Sequence, residues 1–143
     1  MQVKIKKLHQ DAKVPTYGSA GAACFDICVL KGGAVPFGGR SAIFETGLAF
    51  EVPEGYALMA YNRSGHGIKH GVRLSNLVGI LDSDYRGQLM VRLHNDGPDT
   101  YQVQDGERVI QAMIVPVPKI EFVVVDELGE TERGTGGLGS TGR

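Results

Sequence analysis

The chain has no apolar run long enough to cross a membrane. Its N-terminus, MQVKIKKLHQ, carries positive charge without the apolar stretch of a secretion signal. A cytoplasmic protein with no membrane partner is therefore expected. Net charge is −1 over 143 residues, so no basic field points to direct nucleic-acid binding. Cysteine is scarce: Cys24 and Cys28 are the only two. Without an export signal they read as buried reduced thiols rather than a disulfide. Cys24, Asp26 and Cys28 would share one strand face, but no further Cys or His stands at the spacing of a soft-metal site. Helical periodicity is rare, and the Lys-bearing phosphate-loop pattern is missing.

Glycine is abundant, at 21 residues, and it separates short apolar runs. That pattern predicts an all-β sandwich or barrel, and the length suits one domain with a real core. Val3 and Ile5 alternate with lysines, as in a strand with one wet face. Residues 11–22 read as loop, 24–30 as a strand and 30–40 as turn material. Ile43–Val52 and Tyr56–Tyr61 read as paired strands around a tight turn at residues 53–55. Tyr101–Val103 is a short strand between turns. Glu107–Val117 is an apolar strand whose Gln111 needs a hydrogen-bond partner, and its prolines suggest an edge or crossing position. A last strand is expected over Ile120–Val125.

The stretch GILDSDYRG, residues 79–87, lies between apolar runs and reads as a β-hairpin tip. Two carboxylates, Asp82 and Asp84, stand there beside Tyr85 and Arg86. A plain turn needs no aromatic ring next to two acids, so the tip suggests a site as well as a solvated turn. Asp26 is the one charge in its apolar run and must be paired, hydrated or bound to a cation unless it faces water. Arg63, Ser64 and Gly65 precede the only candidate for a short helix. Ser64 would cap it, and Arg63 would offer a forked donor to an anion. His66 and His70 are four apart, but Gly67 and Gly71 make a stable helix doubtful, so exposed histidines are expected. The tail, residues 129–143, is too glycine-rich to hold a fixed shape, yet Arg133, Ser140, Thr141 and Arg143 are donors suited to phosphate oxygens.

Five segments in order resemble the trimeric dUTPase family over nearly the whole chain: AGAACFDI at 20–27, RSG at 63–65, GILDSDYRG at 79–87, GERVIQ at 106–111 and RGTGGLGSTG at 133–142. The resemblance implies a distorted jelly roll over residues 1–128 and a flexible arm over 129–143. It implies a homotrimer whose sites lie where subunits meet, and hydrolysis of dUTP to dUMP and pyrophosphate. It makes Asp82 the general base and gives Asp26 a Mg2+ ion through water. Substrate contacts would come from Arg63, Ser64, Gly65, Asn76, Gly79, Ile80, Leu81, Asp82, Tyr85, Met90 and Gln111. In the arm they would come from Arg133, Leu138, Gly139, Ser140 and Thr141. Tyr85 would lie on the deoxyribose and exclude a 2′-hydroxyl. Leu138 stands where the family usually has an aromatic ring stacked on uracil, so arm closure should be weaker. His66-Gly67 also departs from the usual apolar residues after RSG. A dCTP deaminase-type or bifunctional relative and a non-catalytic regulatory module on the same fold are the alternatives.

Overall fold

The structure is a computed structural model that describes residues 1–138 and 140. Eleven strands and one helix follow one another: β1 (Lys4–Lys7), β2 (Thr16–Tyr17), β3 (Phe25–Cys28), β4 (Gly33–Val35), β5 (Arg40–Glu51), β6 (Tyr56–Asn62), α1 (Ser64–His70), β7 (Val72–Leu74), β8 (Gly79–Leu81), β9 (Gln88–Asn95), β10 (Tyr101–Val103) and β11 (Arg108–Pro116). One sheet has the order β1-β5-β9-β7, the other β2-β3-β11-β6-β8, and β10 pairs with β4 alone. The expected all-β jelly-roll architecture is present.

Period-two alternation builds the core. In β9, Leu89, Val91, Leu93 and Asn95 point inward while Met90 and Arg92 point out. They meet Ile27, Leu58, Ile110 and Ala112 from the other sheet, with Val35 and Val103 closing one end. Asn95 is a polar side chain fully buried among them. Asn95 donates to the carbonyls of Val35 and Asp99, each at 2.9 Å, and accepts from the Gly97 N–H at 2.8 Å. It ties the β9 end to β4 and to the following turn. No helix among the described residues is long and apolar enough to cross a membrane.

Several expectations need correction. Residues 79–87 are not a hairpin tip, because β8 pairs with β6 and β9 pairs with β5 and β7. The stretch carries the chain from one sheet to the other. The turn at residues 53–55 does the same, since β5 and β6 lie in different sheets. Short strands β2 and β4 lie inside segments read as loop. Strand β11 is central, between β3 and β6, and tolerates Pro116 because that residue is its last, beyond the reach of β3. Ile120–Val125 forms no strand: Phe122 is 87% and Val124 98% exposed, and no described residue of the same chain pairs with them. The thiols are free, as expected, but only half-buried.

Removing the Asn95 amide strands the buried Val35 carbonyl and frees the Asp99 carbonyl and Gly97 N–H nearer the surface. Asn95→Leu is expected to lower the unfolding free energy by roughly 1–3 kcal/mol, the cost of orphaning the buried carbonyl. Urea midpoints at fixed protein concentration measure it; a loss below about 1 kcal/mol would mean that water satisfies that carbonyl instead.

Candidate functional site

Asp26 on β3 stands in register with Gln111 on β11. Its side chain is 13% exposed and lies between two guanidinium groups. Arg63 Nε is 3.0 Å from Oδ1, and Arg108 Nη1 is 3.0 Å from Oδ2. Arg63 also donates from Nη1 to the Arg108 carbonyl at 2.9 Å. Gln111, half-buried, donates from Nε2 to the Asn62 carbonyl at 2.9 Å. Two cations on one anion leave a surplus positive charge, and Arg108 is the more exposed of the pair. This end of the sheet is built to meet an anion.

The RSG segment does form a helix start. Arg63, not Ser64, is the N-cap, and among the described residues no side chain caps α1. Ser64 and Gly65 stand exposed at the first turn. The helix survives its glycines because Gly71 ends it in the left-handed conformation at φ 68°, where its N–H reaches back to the Gly67 carbonyl. His70 is exposed, but His66 is buried, contrary to expectation. His66 Nε2 lies 2.8 Å from Glu107 Oε1. The same oxygen accepts from the Tyr101 hydroxyl at 2.7 Å, and Oε2 accepts from the Gln104 N–H at 2.7 Å.

Burial pushes the Glu107 carboxyl up, but the Gln104 N–H and the His66 and Tyr101 donors outweigh it and hold the group below the usual carboxylate range. Burial and the Glu107 carboxylate push the Tyr101 phenol up to about 12. Burial also raises the Cys28 thiol, which disfavours a thiolate metal ligand. Among the described residues no three His, Cys, Asp or Glu side chains gather as a metal site.

The second half of the site is the crossing stretch. Strand β8 is the edge of its sheet and pairs only with β6 among the described residues, so half of its backbone N–H and C=O groups face outward. Asn76 lies against Gly79. Leu77 between them holds φ at 62°, the one non-glycine residue with positive φ among those described. That conformation costs a bulky side chain about 1 kcal/mol or more. Beyond Leu81, the Tyr85 N–H bonds the Asp82 carbonyl, and Arg86 bonds the carbonyls of Ser83 and Tyr85. The Tyr85 ring folds over Gly87: a Cβ there would sit 2.3 Å from the phenol oxygen, which donates to the Gln88 carbonyl at 3.2 Å. Ile80, Asp82, Ser83, Asp84 and Arg86 also edge an open groove of about 860 Å³. Met90 is half exposed on β9, with its sulfur 2.9 Å from Gln88 Nε2.

Asp82 and Arg63 do not meet within one chain. Leu81 is in register with Leu58, so Asp82 follows opposite Ala57, whereas Arg63 follows Asn62 at the other end of β6. Six positions along a strand span about 20 Å. In the tail, Arg133 bonds the Gly136 carbonyl and Leu138 is fully exposed; Ser140 is exposed, and Gly139, Thr141 and Arg143 lie outside the described residues. Three participants escaped the sequence reading: Arg108, Glu107 and Tyr101. The available signal was a charged pair at the mouth of an apolar strand.

Because Glu107 titrates lower when folded, its stabilising effect is complete above the ordinary carboxylate value and is lost as pH falls through the folded value. The thermal midpoint is expected to fall as pH drops below about 4.5. Glu107→Gln should start lower at pH 7 and show a flatter acid limb. An unchanged slope in that variant would remove Glu107 as a cause.

The dUTPase family profile matches residues 10–142. The deoxyuridine 5'-triphosphate nucleotidohydrolase of Wolinella succinogenes is 43% identical, covering all of this chain and 95% of the relative. The enzyme of the same name from Nautilia profundicola is 44% identical over the full length of both. Among solved structures, a dUTPase of Staphylococcus bacteriophage 80alpha with dUpNHpp superposes with a TM-score of 0.90 at 25% identity, covering 99% of both chains. With its fold, its motif segments and its full-length relatives in agreement, this chain belongs to the dUTPase family.

Proposed function

We propose that this chain hydrolyses dUTP to dUMP and pyrophosphate, at a site completed by more than one copy of itself. The observation that carries the reading is the edge strand β8 running into the Asp82–Gly87 loop, which sets outward backbone groups, a carboxylate and a phenol ring side by side. Uracil presents a donor flanked by two acceptors. The free edge of Gly79, Ile80 and Leu81, with the Asn76 amide, can match that pattern. Cytosine reverses donor and acceptor at two positions and would leave groups unpaired, which argues against a dCTP-directed enzyme. Tyr85, fixed over Gly87, occupies the space of a 2′-hydroxyl.

The triphosphate needs charge neutralisation and positioning more than covalent chemistry. Arg63, Ser64 and Gly65, with Arg108 beside them, take the phosphates, and Gln111 holds β11 to β6 beneath them. Asp82 accepts a proton from water as the water oxygen bonds the α-phosphorus. The bond from that phosphorus to the bridging oxygen breaks, and pyrophosphate leaves with the electron pair.

The donor set fits a Mg2+ ion that rides on the substrate and keeps its waters. Asp26 is a hard oxygen donor already shared by two arginines, and no cluster for direct protein ligation gathers near it among the described residues. Asp26 would hold such an ion through water, and the ion would supply neutralisation of phosphate charge.

Asp82 and Arg63 stand near opposite ends of β6, so the assembly proposed is a homotrimer, each site taking Asp26, Arg63 and Gln111 from one subunit and the Asp82 loop from a neighbour. Residues 129–143 act as the arm of a third, with Arg133, Leu138, Gly139, Ser140 and Thr141 closing over the nucleotide. Met90 lines the site from β9. Free thiols at Cys24 and Cys28 fit a reducing cytoplasm.

Pyrophosphate release from dUTP with Mg2+ tests the reading, and an inert wild type would sink it. Asp82→Asn is expected to cost roughly 10²–10⁴ in kcat while dUMP still binds. In Gly87→Ala the new methyl displaces the Tyr85 ring, whose far end can move without unfolding the loop. The preference for dUTP over UTP in kcat/KM should fall by about tenfold, with the circular dichroism spectrum unchanged. Undiminished preference would show that the ring does not guard the 2′ position.

A further inference from the structure

Helix α1 has seven residues, two of them glycine, and so has little stability of its own. Tertiary contacts must hold its first turn, where Ser64 and Gly65 stand. His66 is the one residue it buries. His66 Nε2 meets Glu107 Oε1 at 2.8 Å, and the His66 N–H returns to the Arg63 carbonyl at 3.1 Å. Glu107 runs directly into Arg108, whose carbonyl takes Arg63 Nη1 and whose guanidinium takes Asp26. The circuit from Arg63 through His66, Glu107 and Arg108 back to Arg63 is closed. Tyr101 braces it, with its hydroxyl on the same Glu107 oxygen and its ring edge-on to His66 at 5.5 Å. His66 Nδ1 is buried without a partner among the described residues. Glu107 is a carboxylate that accepts, so His66 Nε2 carries the proton and donates to it.

We infer that His66 is a positioning residue for the phosphate-binding end: its bond to Glu107 sets where Arg63, Ser64 and Gly65 stand. It thereby tunes affinity for the triphosphate without touching base recognition or the proton transfer at Asp82. This rests on the functional reading above. An apolar side chain fills the same space and donates nothing, leaving α1 held by packing alone. Glutamine keeps a donor.

The test compares binding of α,β-imido-dUTP and of dUMP, by calorimetry, to wild type, His66→Leu and His66→Gln, with steady-state kinetics alongside. His66→Leu is expected to weaken the imido triphosphate, and raise KM, by about 5–30-fold, with dUMP affinity and kcat within about twofold. His66→Gln should recover most of the loss. Tyr101→Phe keeps the ring and removes the other donor to the same oxygen; it should give the same split even if the leucine variant does not fold. Equal losses for both ligands, or no difference between Leu and Gln, would overturn the inference and leave His66 a packing residue. A wild type that binds both ligands while its variants fail to split overturns this inference alone. A wild type that binds neither overturns the functional reading and this inference with it.

Discussion

The carboxylate of Asp26 constrains everything around it. It lies on a strand whose next residue, Ile27, is wholly buried, and its own side chain is nearly so. A charge in that position is tolerable only if paired, and removing its partners would leave an uncompensated ion. Arg63 and Arg108 supply the pairing from two different elements, so one acid fixes the start of α1 against the start of β11. Because two cations serve one anion, the charge left over points at whatever anion arrives. The same contacts that hold the strands together thus create the electrostatic field that a polyphosphate needs.

The other half of the chemistry depends on a backbone left unpaired on purpose. An exposed strand edge invites aggregation, and β8 limits that risk by being three residues long. Its outward groups are therefore available to a ligand without offering a long template to another strand. Strain at Leu77 and the close approach at Gly87 bracket this edge. Strain of that kind persists only where the surroundings hold it in place, and here it aims the chain from one sheet into the other. Tyr85 is ordered by its neighbours Gly87 and Gln88, so its ring does not depend on a ligand to find its position.

Much of this was legible in the residues. The apolar run after Gly87 did prove a strand, Asp26 found partners rather than facing water, and Gln111 did need a partner. The misreadings share a cause: a period of two reports that a segment is extended, not which sheet it joins. Leu77–Leu81 and Leu89–Leu93 flank a turn-rich tip, as a hairpin would, yet β8 and β9 separate because each finds a better apolar face in a different sheet. His66 was misjudged for a different reason. Its partner lies 41 residues away, and local glycine content says nothing about a buried carboxylate arriving from another turn. The phosphate-binding end was visible as charged letters in two segments, but the circuit joining them was not.

The run IEFVVV explains more by its failure to pair than a paired strand would. Its β-branched and aromatic residues have strong strand propensity, which reflects the gain from packing on a pleated surface. Within one protomer that surface is missing: Ile120, Phe122, Val123 and Val124 are all largely exposed. Burying such side chains is worth about 1.5–3 kcal/mol each, so leaving them in water would waste most of what the run can contribute to stability. A chain with its acid and its arginines near opposite ends of β6 meets the same difficulty in its chemistry. The proposed assembly of several copies would answer both needs if the segment after Pro116 left its own sandwich and covered apolar surface on another copy. On that proposal the exposed run and the divided site share one cause, a folding unit smaller than the working unit.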